Sequence, residues 1–139
     1  MAPRIKYDLA MMKYITLFES MSGAQVKDAV EDSGVLIFIV GEHQIAKAIG
    51  KGGSTVKRLE QLTKKKAKIV EFNADITEFI RNYISPVEAS EITNEDGLLT
   101  IHGRDMKSKS ILIGRERRNL NLLKSILERH FEVKDVRVV

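Results

Sequence analysis

Two stretches of this chain, AIGKGGSTVKRL at 48–59 and LIGRERRNLNLL at 112–123, set an apolar residue, a glycine and a basic residue in the same order, 64 residues apart. Sliding the chain against itself by that interval aligns Asp32 with Asp96, Val35 with Leu99, Ile37 with Ile101, Ile49 with Ile113, Gly50 with Gly114, Lys51 with Arg115 and Leu59 with Leu123, without a gap. Chance seldom keeps apolar, turn and basic positions in step over such a span. The pattern predicts two copies of one small unit, 1–73 and 74–139. A unit of about 65 residues is marginal alone, so the two copies are expected to pack into one rigid body.

The elements within each copy follow from periodicity. Leu9, Met12, Ile15 and Phe18 recur at helical spacing before Gly23, which predicts an opening helix. AQVKDAVED and VLIFIVG, separated by SG, read as a hairpin with a well-buried second strand. EHQIAKAI is a short helix ending at Gly50, STVKRLEQLTKK a longer one, and AKIVEF a closing strand. The second copy repeats the order. Asp75 and Glu78 are spaced as a capping box before DITEFIRNYI, and NEDG turns between VEASEIT and LLTIHG. RDMKSKSILI then ends at Gly114, Leu120, Leu123, Leu127 and His130 share one helical face, and FEVKDVRVV supplies the last strand. The expected class is α+β, each unit running helix-strand-strand-helix-helix-strand around a three-stranded sheet.

The stretch between the two middle helices of the first copy carries the chemistry. Glycine accepts backbone angles that other residues resist and leaves the surface bare, so another backbone can approach closely. The following helix adds free N–H groups and the positive end of its dipole, and Lys51 adds a mobile cation. Such a tip suits phosphates. It is neither a nucleotide-triphosphate loop, because Ile45 stands where that motif needs its first glycine and Gly52 follows the lysine, nor a dinucleotide fingerprint, because Thr55 fills the last glycine slot.

IGKGG between two helices, inside a unit of this order, resembles the GxxG loop of a type II KH domain. Two such units in tandem resemble the KH pair of NusA-type transcription factors, above all the short archaeal ones, and the likeness covers nearly the whole chain. FIRNYISP at Phe79–Pro86 resembles the segment that opens the second KH unit of that family. KH domains clamp about four nucleotides of single-stranded RNA or DNA across the loop. The resemblance therefore assigns RNA binding to Gly50, Lys51, Gly52 and Gly53, with Ile49 and Ser54 beside them. It also implies an aliphatic groove floor drawn from Ile45, Ile49, Val56, Ile37 and Ile39, some of which must instead be core. In the second copy Gly114, Arg115, Glu116 and Arg117 occupy the loop, where a side chain replaces the last glycine. There Arg115, Arg117 and Arg118 could still grip phosphates as forks, or the loop could serve to orient the first unit.

Charge follows the same geography. With 23 Lys and Arg against 19 Asp and Glu, the net charge is only +4, so clustering matters more than the total. Lys47, Lys51, Lys57, Arg58, Lys64, Lys65, Lys66 and Lys68 surround the first loop, and Arg104, Lys107, Lys109, Arg115, Arg117 and Arg118 the second. Lys64 to Lys66 read as a solvated helix end, which leaves Lys47, Lys57 and Arg118 as the better phosphate contacts. All five phenylalanines fall on apolar-periodic faces and read as core rather than as base-stacking platforms. Asp32 and Asp96 read as turn residues. No nucleophile-base constellation is visible, the chain has no cysteine, and its three histidines lie far apart, so neither an enzyme nor a metal or cofactor site is expected. The first residues lack a signal-peptide core, and a cytoplasmic monomer with no membrane partner is expected. The function implied is a single-stranded RNA-binding factor in transcription termination or antitermination, with RNA polymerase as a second partner. The alternatives are a ribosome-associated or RNA-processing KH protein, or an adaptor for RNA polymerase.

Overall fold

Asp8 starts the first helix. In the computed structural model, which describes residues 7–139, its carboxylate accepts the Met11 N–H at 2.7 Å and α1 (Leu9–Ser22) runs until Gly23, whose N–H closes on the Glu19 carbonyl. Met11 and Phe18, two turns apart, are its buried residues, while Leu9 and Met12 face solvent. The apolar stripe is thus rotated from the expected one.

A hairpin follows, β1 (Val26–Asp32) against β2 (Val35–Val40), with Ser33 and Gly34 both at positive φ in the turn. Next come α2 (Ile45–Ile49), a single 3₁₀ turn (Lys51–Gly53), α3 (Ser54–Thr63) and β3 (Lys66–Glu71). β3 lies parallel to β2, a pairing that needs a crossover, which α2 and α3 supply. The sheet order is β1-β2-β3. Alternation along β2 sends Leu36, Phe38 and Val40 into a core with Ala29, Phe18, Ala48 and Leu59, where the Phe18 and Phe38 rings sit 4.6 Å apart between centroids.

The second set of elements has the same order: α4 (Ile76–Ile84), β4 (Ala89–Glu95), β5 (Leu98–Gly103), α5 (Met106–Ile113), a 3₁₀ turn (Arg115–Arg117), α6 (Arg118–His130) and β6 (Asp135–Val138). Its sheet order is β4-β5-β6, antiparallel then parallel. Asp75 caps α4 through the Thr77 N–H, and Asp105 caps α5 through the Ser108 N–H at 2.7 Å. Leu120, Leu123 and Leu127 are buried as expected, joined by Ile126, whereas His130 is only half-buried. Among the described residues, 7–73 form one compact unit and 74–139 another.

The gapless repeat needs correcting. In the hairpins the offset is 63, not 64: Asp32 pairs with Val35 as Glu95 pairs with Leu98, and the turn residues Ser33 and Gly34 answer to Asp96 and Gly97. The offset of 64 holds from Gly50 and Gly114 into α3 and α6, and becomes 69 in the closing strands, where Lys66 pairs with Val35 as Asp135 pairs with Leu98. One residue is therefore added between β5 and the end of α5. A slip of one residue exchanges the two faces of a strand, so Leu36 and Phe38, not Val35 and Ile37, are the counterparts of the buried Leu99 and Ile101. Asp32 ends a strand while Asp96 sits in a turn, and the two are not equivalent.

Candidate nucleic-acid interface

α2 ends against Gly50, whose backbone takes φ 80° and ψ 165°, a region closed to residues with a side chain. Its N–H bonds to the Ala46 carbonyl and its carbonyl accepts the Gly53 N–H, both at 3.0 Å. A Cβ on Gly50 would lie 2.4 Å from Thr55 Oγ1 and 2.9 Å from the Thr55 backbone nitrogen. Gly52 and Gly53 are left-handed at φ 63° and 76°, yet a Cβ on Gly52 would meet nothing within 4 Å. Sterics thus demand the first glycine, whereas the others provide a left-handed turn that adds no side chain beside Lys51.

Lys51 and Gly52 are exposed at that tip, and Ser54 is exposed at the start of α3. Lys47 and Lys57 are exposed on the flanking helices and have no ion-pair partner among the described residues. Of the aliphatic candidates, Ile49 is 38% exposed, Ile45 packs partly against the core, Val56 is half-buried, and Ile37 and Ile39 are buried. Ile49 is the apolar surface left beside the loop.

The second loop keeps the first one's backbone. Gly114 has φ 73° and ψ 171°, Glu116 φ 55° and ψ 32°, and Arg117 φ 62° and ψ 21°. Two residues with side chains therefore hold a left-handed conformation that costs each of them about 1 kcal/mol. Asn119 helps to fix this shape, because its amide donates to the Ile111 carbonyl at 2.7 Å directly beside Gly114. The change from the first loop lies in the side chains at the tip. Arg115, Glu116, Arg117 and Arg118 are all exposed. The Asp135 carboxyl is held below its usual range first by Lys124, at 3.1 Å, and further by Arg117.

Three readings of charged and aromatic residues change. Lys65 is no solvated helix end: it forms an ion pair with Glu31 on β1, which raises its pKa, and its ammonium lies 5.8 Å from the Tyr14 ring centre. Lys64, the exposed left-handed cap of α3, is a solvated helix end as expected, but Lys66 opens β3. Phe18, Phe38 and Phe79 are fully buried, but Phe72 and Phe131 are only half-buried, and the Lys27 ammonium covers the Phe72 ring at 4.3 Å. Sequence reasoning missed the Asn119 clamp, which gave no signal beyond its place on a helix, since what matters about it is the carbonyl its amide reaches. No group of three or more metal-ligating side chains occurs among the described residues, and no described helix is long and apolar enough to cross a membrane.

Comparison with known proteins points the same way. The KH domain family matches residues 13–95, from within α1 to the end of β4. A protein of Methanococcus vannielii named "Probable transcription termination protein NusA" is 33% identical over 98% of this chain and 80% of its own length. One of the same name from Halococcus morrhuae is 28% identical over 96% of this chain and 97% of its own. The solved structure titled "Crystal structure of APE1850" superposes with a TM-score of 0.72 at 25% identity, over 96% of this chain and all of that one.

Proposed function

Because this chain belongs to the KH-domain family and is a NusA-like protein of the archaeal kind, we propose that it is a non-catalytic single-stranded RNA-binding factor acting in transcription termination or antitermination. In this reading both units are type II KH domains, 1–73 and 74–139, and RNA polymerase is the second partner. The strand lies across Gly50, Lys51, Gly52 and Gly53. Ile49 offers an apolar contact to a base, Ser54 and the first N–H groups of α3 meet a phosphate, and Lys47 and Lys57 supply flanking charge. The second loop contributes the weaker grip, through Arg115 above all.

The observation that carries the reading is the first loop: three glycines at positive φ around one exposed lysine, with an amphipathic helix starting immediately behind them. That construction lets a sugar-phosphate backbone approach the protein backbone where N–H groups and a cation are presented together. Filter binding to single-stranded and duplex RNA at graded salt tests it. With about four phosphates neutralised on a single strand, the log-log salt slope is expected near −3. A flat response, or tighter binding to the duplex, would contradict the reading.

A further inference from the structure

An open cleft of about 420 Å³ adjoins the glycine loop of the first unit, lined by Ser20 and Met21 from the last turn of α1 and by Ser54, Thr55 and Arg58 from the start of α3. Its polar groups are three hydroxyls and a guanidinium, and no carboxylate lines it. Arg58 is exposed and has no hydrogen bond or ion pair with any described residue. The acids nearest in sequence to the lining residues are engaged elsewhere, Glu60 accepting the Ala67 N–H at 2.8 Å and Glu19 the Val26 N–H at 3.0 Å. Ser54 and Arg58 are one turn apart, so hydroxyl and guanidinium lie on the same side of α3. Leu62, another turn along that side, is 56% exposed.

We propose that this cleft is a second phosphate subsite, in which Arg58 grips a strand beyond the nucleotides held at the loop. The inference rests on the RNA-binding reading above. A planar guanidinium offers paired donors to two phosphate oxygens, and Ser20 and Thr55 supply hydroxyl donors around it, while Ser54 stays with the phosphate at the loop. The four steps from Ser54 to Arg58 advance about 6 Å along the helix axis, comparable with the step between successive phosphates of an extended strand. Exposed Leu62 then offers apolar surface to the adjoining ribose or base. The second unit lacks the arrangement. Leu122 stands 64 residues after Arg58, and Asn119, in place of Thr55, has its amide committed to the Ile111 carbonyl. The first unit is thereby built to hold a longer strand than the loop alone spans.

The test compares mixed-sequence single-stranded RNA of about four nucleotides, the length a KH loop clamps, with strands twice as long, by fluorescence anisotropy. Arg58→Gln is expected to weaken the longer strand roughly tenfold, as for one charge-assisted contact, and to reduce its salt slope by about 0.7. The shorter strand should bind within about twofold of wild type, and Arg58→Lys, which keeps the charge but loses the fork, should fall between. If Arg58→Gln binds the longer strand like wild type while Lys51→Asp/Gly52→Asp does not, the loop reading stands and the cleft is overturned. Equal loss on both lengths would make Arg58 part of the loop's own grip and overturn a separate subsite. Wild-type protein that binds neither strand would overturn the subsite together with the RNA-binding reading.

Discussion

Replacing Gly50 by alanine should cost far more stability than the same change two residues later. Both positions have positive φ, 80° and 63°, but their surroundings differ. At Gly52 the new methyl meets nothing within 4 Å, so only the left-handed penalty applies, about 1 kcal/mol. At Gly50 the ψ of 165° places the residue in a region that is nearly glycine-only, worth about 1–3 kcal/mol, and the methyl would sit 2.9 Å from the backbone nitrogen of Thr55. That nitrogen belongs to the first turn of α3 and cannot retreat without moving the helix. The hydrogen bonds from Gly50 to Ala46 and from Gly53 to Gly50 would then loosen together. A loss of about 3 kcal/mol or more is expected for Gly50→Ala. Urea unfolding of wild type and the two variants, followed by circular dichroism, measures the difference. Thr55→Ala should relieve the side-chain clash and recover only a minor part of the loss, because the backbone clash remains. Equal losses for the two alanines, or full recovery with Thr55→Ala, would refute the reasoning.

The second loop makes the converse prediction: Arg117→Gly removes a left-handed side chain and should stabilise the fold by about 0.5–1 kcal/mol, and an unchanged or lower urea midpoint would show that the strain is absent. At acid pH, Asp75, held low by its hydrogen bonds from Thr77, Asp105, held low by those from Ser108, and Asp135, held low by Lys124, all lose favourable contacts when protonated. Their pKa values are lower in the folded chain, so their contribution is complete above the unfolded value near 3.9 and disappears as pH falls through the folded values. The urea midpoint should therefore rise between about pH 2 and pH 5 and then level off, and Asp105→Asn should flatten part of that rise; a midpoint indifferent to pH over this window would contradict the cap geometry.

Much of this architecture is legible in the sequence because local signals and burial agree. VLIFIV can only be a buried strand, SG and DG mark hairpin turns, and Asp75 and Asp105 stand where helices need caps. The repeat was readable too, but not its register. Gly50 and Gly114 anchor an alignment that runs correctly forward into α3 and α6, while apolar residues on both faces of β2 let Val35 and Ile37 mimic the true counterparts, Leu36 and Phe38. A strand buried on both faces has no polar residue to reveal a one-residue slip. The rotation of α1 was hidden for a related reason: Leu9, Met11, Met12, Ile15 and Phe18 surround enough of the helix that periodicity alone does not choose the inward side.

At the site, residue type identified the loop but not the division of labour within it. GKGG announces a bare, flexible tip, yet nothing in those letters says that Gly50 is required by Thr55 while Gly52 is required by nothing but its own backbone angle. GRER puts side chains where the first loop has glycines, and those letters do not say that Glu116 and Arg117 keep the first loop's left-handed backbone, with Asn119 bonded to the Ile111 carbonyl beside Gly114. The pairing of Lys65 with Glu31 depends on β1 and β3 lying in the same sheet, which a run of three lysines cannot display.

The central claim, that the first loop carries most of the grip on single-stranded RNA, is tested most directly by comparing two double variants at one salt concentration. Lys51→Asp/Gly52→Asp places two acids at the exposed tip, and stability should shift by no more than about 1 kcal/mol, since aspartate tolerates the left-handed angle of Gly52 better than most residues. Arg115→Asp/Glu116→Asp removes one cation from a tip that already carries an acid. Affinity and melting temperature of both, beside wild type, decide the matter. The account predicts that binding collapses in the first variant, weakens modestly in the second, and that both remain folded; equal losses in the two would contradict the asymmetry, and undiminished binding in both would contradict recognition through these loops altogether.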